Sequence, residues 1–96
     1  MTSLRQALAA DGFAVVSQIA PASLRDDALR AIGAFLGVDL ASADPAAWYP
    51  PRPLEWGVVP LHHHPSQWAL RQLPALHAVF AEAFGTDRLW VSMDRV

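Results

Sequence analysis

Gly85-Thr86-Asp87-Arg88-Leu89-Trp90-Val91-Ser92-Met93-Asp94-Arg95-Val96 is the stretch that decides how the fold is read. From Leu89 onward, Leu89, Val91 and Met93 fall on one side of the chain and Trp90, Ser92 and Asp94 on the other. That alternation is the period of a β-strand. A strand rich in β-branched and aromatic side chains normally has neighbours on both edges, and only Phe13 to Val16 and Val58 to Leu61 offer further extended stretches. Three short strands are too few to cover the helices around them. The expected fold class is therefore α+β, a single incomplete domain over residues 1–96 whose remaining sheet partners are missing from the chain.

Working outward from that stretch, Gly85 caps a helical region that starts near Ser66, breaks at Pro74 and resumes to Phe84, with Leu73, Leu76, Phe80 and Phe84 on one face. Val38 to Trp56 is punctuated by Pro45, Pro50, Pro51 and Pro53, which exclude a long helix or a central strand. An ordered loop is expected, because Trp48, Tyr49, Leu54 and Trp56 need something to pack against. Nearer the start, Ser3 can cap a short helix through Leu8 that Asp11-Gly12 stops. After Pro21, Ser23 and Asp26 have capping-box spacing, and Leu24, Ala28, Ile32, Phe35 and Leu36 follow at helical spacing before Gly37. No repeat or linker divides the chain.

Composition narrows the function classes. Of the 96 residues 53% are hydrophobic, more apolar surface than a domain of this size hides, so a partner or further polypeptide must cover the excess. Self-association through the exposed terminal strand is one way to do so. The formal charge is −2 without long runs of one sign, which argues against a nucleic-acid partner. All seven basic residues are Arg and none is Lys, a coding bias that suggests a bacterium. The absence of cysteine excludes disulfides and thiolate metal sites. No apolar run is long enough for a membrane span and no secretory signal is visible, so a cytoplasmic protein is expected.

Candidate chemistry is sparse. His62, His63 and His64 are potential ligands, but on an extended segment only His62 and His64 share a face, and no carboxylate is near in sequence. Pro65-Ser66 instead makes them the approach to a helix, with packing or capping roles. His77 flanks the apolar stripe of the last helix. Asp26 and Asp27 face different directions, as solvated first-turn acids. Arg95 continues the face of Leu89, Val91 and Met93, and a buried Arg needs an anion, whether Asp87, a carboxylate from elsewhere or a bound small acid; a solvated Arg95 next to the chain's end is the equal alternative. Trp48 and Tyr49 are candidates for a lid over a substrate, or structural anchors of the loop.

Three runs carry a family resemblance: His62-His63-His64-Pro65-Ser66-Gln67-Trp68-Ala69-Leu70-Arg71-Gln72, the helix from Pro74 to Phe84, and Gly85 to Val96. They resemble bacterial members of the phytanoyl-CoA dioxygenase family, and the Asp11-Gly12-Phe13-Ala14-Val15-Val16 opening is similar to that family's start. The resemblance implies an iron(II)- and 2-oxoglutarate-dependent oxygenase hydroxylating a small organic substrate. It also implies a double-stranded β-helix (jelly-roll or cupin-like) with helices outside one sheet. The chain ends before the family's His-x-Asp motif, its distal His and its 2-oxoglutarate arginine, so none is assigned here and no cofactor is expected on residues 1–96 alone. By similarity, Ser92 to Arg95 would pass the cosubstrate pocket, placing Arg95 near 2-oxoglutarate and Ser92, with Trp48 and Tyr49, near substrate. Two other readings stand beside it: a stand-alone interaction module that pairs by strand addition, and a small metal-binding protein using His62 and His64.

Overall fold

The computed structural model describes residues 3–92 and 94–96. Among the described residues there are four α-helices: α1 (Leu4–Asp11), α2 (Ala22–Leu36), α3 (Pro65–Arg71) and α4 (Pro74–Phe84). They pack in two pairs, α1 on α4 and α2 on α3. Local sequence explains most of their ends. Ser3 Oγ accepts from the Gln6 N–H (3.2 Å) while Gln6 Oε1 accepts from the Ser3 N–H (2.8 Å), a complete capping box. At the far end Gly12, at φ 78°, donates its N–H to the Leu8 carbonyl. α4 begins at Pro74, where a missing N–H costs nothing, and stops at Gly85 (φ 71°).

α2 departs from expectation at its start. Ser23 lies inside the helix and caps nothing; the carbonyl of Pro21 (φ −57°) receives the N–H groups of Leu24 and Arg25 at 3.1 and 3.2 Å. Proline's fixed φ suits the approach to a helix, so the turn starts before the side-chain signal. The helix closes in a Schellman turn in which the Val38 N–H reaches the Gly33 carbonyl at 2.9 Å. Asp27 pairs with Arg30 on its outer surface, a contact worth a few tenths of a kcal/mol.

The loop after α2 is ordered. The Asp39 N–H binds the Ala47 carbonyl (3.0 Å), Asp44 Oδ1 caps a 3-10 turn at Pro45–Trp48, and Trp48 Nε1 donates to the Ser42 carbonyl at 2.8 Å. A second short turn at Glu55–Gly57 has positive φ at both Trp56 (57°) and Gly57 (69°), closed by the Val58 N–H on the Glu55 carbonyl at 3.1 Å. That is the type I′ pattern that usually joins two antiparallel strands. Here the preceding arm holds Pro50, Pro51 and Pro53, which lack the N–H groups a ladder needs, and the arms do not pair.

The α+β expectation is corrected by this architecture. Among the described residues there is no β-strand and no sheet, so neither the first strands of a double-stranded β-helix nor a sheet-forming terminal strand is present. Residues 13–16, 58–61 and 89–92 with 94–96 run without helix, and Met93 of the expected strand lies outside the described residues. The reason is a shortage of partners. Alternating side chains favour an extended backbone, but a ladder needs a second backbone alongside. The nearest approach is one bond, from the Val96 N–H to the Leu61 carbonyl at 3.3 Å. Arg71 occupies the same edge, donating from Nη1 to the Ser92 carbonyl (3.3 Å) and from Nη2 to the Asp94 carbonyl (2.7 Å).

Packing is correspondingly thin. No hydrophobic side chain among the described residues is buried; Gly33 on α2 and Ser66 and Gln67 on α3 are the buried residues. The accessible surface is 7527 Å² for 10.4 kDa, against about 5,400 Å² for a self-contained chain of that mass. The radius of gyration is 16.3 Å, where about 12.5 Å is usual for this length. The helices are well specified locally and poorly covered globally.

Candidate functional site

A groove of about 680 Å³ lies between α4 and the segment that follows it. Leu76, Phe80 and Phe84 form its helical wall at i, i+4 and i+8, and Leu89 to Ser92 form the opposite one. The Phe80 and Phe84 rings lie nearly parallel (16°) with centroids 6.3 Å apart. Both are half-exposed or more, and Trp90 stands 99% exposed at the rim. Polar groups are confined to one end. Arg71 holds the carbonyls named above, and His77 Nε2 lies 3.0 Å from the Asp87 carbonyl oxygen. A carbonyl only accepts, so this contact places the proton of a neutral His77 on Nε2. An apolar trough with polar groups at one end suits an apolar surface, and among the described residues no hydrogen bond joins a nucleophile to a base in it.

The expected site residues are dispersed. Ser92 lines this groove. Arg95 lies in a second, smaller cleft of about 400 Å³ beside Glu55 and Trp56, exposed, with its N–H on Asp94 Oδ1 at 2.7 Å. The odd spacing between 92 and 95 sends their side chains to opposite faces of an extended chain. Trp48 and Tyr49 line neither cleft; Trp48 anchors its own loop through Ser42, and Tyr49 is 75% exposed.

The histidines separate in the same way. His64 is the N-cap of α3: Nδ1 accepts from the Ser66 N–H at 3.1 Å and lies 2.8 Å from Ser66 Oγ. His62 and His63 are exposed. Among the described residues no group of three or more His, Cys, Asp or Glu side chains is placed to hold a metal ion. The donor set of this chain therefore does not fit an iron(II) centre: one imidazole caps a helix, another holds a carbonyl, and no carboxylate converges on the rest. Among the described residues no helix is long and apolar enough to cross a membrane.

Two polar residues carry roles that their types alone did not reveal. Gln67, 7% exposed, donates from Nε2 to the Leu61 carbonyl at 3.1 Å and ties the stretch before α3 to that helix. Arg71 bridges to residues 21 and 23 positions away. Neither leaves a periodic trace in sequence; the one available signal was their place on a short helix between two prolines. Comparison with known protein families, with curated proteins and with solved structures gives no match.

Proposed function

We propose that residues 1–96 form the helical N-terminal portion of a phytanoyl-CoA dioxygenase-like oxygenase. It acts in the cytoplasm on a small organic substrate, and polypeptide outside this chain supplies the iron- and 2-oxoglutarate-binding residues. The supporting observation is the coverage: defined helix caps and two helix pairs coexist with no buried hydrophobic side chain among the described residues. Local structure of this quality on an uncovered apolar face is what one layer of a larger core looks like. The resemblance of His62 to Gln72, Pro74 to Phe84 and Gly85 to Val96 supplies the class of reaction. In this reading residues 1–96 contribute the apolar groove, with Ser92 on its wall, and perform no chemistry alone.

A second reading, a stand-alone interaction module, is favoured by the outer edge of the terminal segment. The Ser92 and Asp94 carbonyls face Arg71, and among the described residues Val91 and Arg95 make no backbone–backbone hydrogen bond, which leaves an edge where an extended partner could pair. Iron- and 2-oxoglutarate-dependent release of succinate separates the two. The natural full-length protein is expected to turn over 2-oxoglutarate, and residues 1–96 alone are expected not to. Absence of turnover in the full-length protein supplied with iron(II) would favour the module.

A further inference from the structure

We propose that the segment after α4, residues 87–92 with 94–96 beyond, is a strap latched by Arg71, able to leave the groove while the helices stay folded. This does not rest on the oxygenase reading. The strap is attached mainly by polar bonds to its own main chain: Arg71 on the Ser92 and Asp94 carbonyls, His77 on the Asp87 carbonyl, and the Val96 N–H on the Leu61 carbonyl. Its described side chains contribute little cover. Trp90 is 99%, Val91 47% and Val96 45% exposed, and Leu89 is half-buried.

Alternate carbonyls of an extended chain share one edge, so the planar fork of a single guanidinium meets both Ser92 and Asp94. One side chain thereby does what a neighbouring strand would do through several backbone groups. Among the described partners of the strap, release strands no buried backbone carbonyl. The Leu61 carbonyl keeps its bond from Gln67 Nε2, and the freed Ser92 and Asp94 carbonyls are already at the surface, where water replaces Arg71. Segments held by few apolar contacts and by surface hydrogen bonds open locally at a fraction of the global unfolding free energy. Departure of the strap removes one wall of the groove and uncovers Leu76, Phe80 and Phe84.

Two measurements test the latch. In the unaltered chain, amide hydrogen exchange at Val96 should be faster than in α3 and α4 and insensitive to low denaturant. Exchange of Val96 that follows the helices with denaturant overturns the proposal. In Arg71→Met, trypsin cleavage after Arg88 should accelerate roughly tenfold, as expected for losing the charge-assisted bonds to the strap, those to Ser92 and Asp94 among them, with far-UV circular dichroism unchanged. Arg71→Lys should fall between, because an ammonium lacks the fork that spans both carbonyls. An unchanged cleavage rate, or loss of helix in Arg71→Met, overturns the latch, the latter by making Arg71 part of the helical framework.

Discussion

Trp56 occupies a backbone conformation, φ 57° and ψ 18°, that a residue with a Cβ adopts at a cost of about 1 kcal/mol. Its indole is 97% exposed and regains little of that. Asn tolerates the left-handed region and is preferred before Gly in a type I′ turn. Trp56→Asn should therefore raise the urea midpoint, by about 1 kcal/mol in stability; an unchanged or lower midpoint would mean that the indole holds more than its exposure shows. His64 works in the opposite sense. Removing its ring acceptor in His64→Ala should weaken α3 by about 1 kcal/mol, and His64→Asn, a strong N-cap type, should restore it; α3 chemical shifts report both. The capping role of His64 was legible because Pro65-Ser66 follows it. The turn at Trp56 was not, since nothing about a tryptophan before a glycine distinguishes a left-handed residue from an extended one.

Helix ends are where sequence and structure agree best, and two glycines let that be tested. Gly12 (φ 78°) and Gly85 (φ 71°) both end helices in the left-handed region, but a Cβ at Gly12 would meet open space, whereas one at Gly85 would stand 3.1 Å from Arg5 Nη1. Near the same junction, Glu82 Oε1 accepts the N–H of Leu4 at 3.3 Å, so the first turn of α1 rests on the last turns of α4. Gly12→Ala should cost about 1 kcal/mol from backbone strain alone. Gly85→Ala should cost more, and should loosen α1 as well, seen as faster exchange at the Ala7 amide; equal effects would show that Arg5 yields freely. The strands failed for a physical reason. Alternation in residues 89–96 reports only a preference for an extended chain with two different faces, while a sheet is a property of two backbones that one segment's pattern cannot specify.

The whole molecule shows what the sequence expressed only as composition. An apolar content of 53% was legible as too much for this length, and the structure places the excess on outward faces: Phe13, Val15, Phe35, Phe84 and Trp90 are all about half-exposed or more. Which face forms the groove was not legible, because it depends on Arg71 drawing the terminal segment across α4. X-ray scattering of residues 1–96 alone should give a radius of gyration near the 16.3 Å of this structure, not the roughly 12.5 Å of a closed domain. Mass spectrometry of the natural protein decides whether these helices are one layer of a larger oxygenase. An intact mass well above 10.4 kDa is expected, with a tryptic peptide that begins at Val96 and continues, and a His-x-Asp sequence downstream. A natural protein of 10.4 kDa ending at Val96 would contradict it.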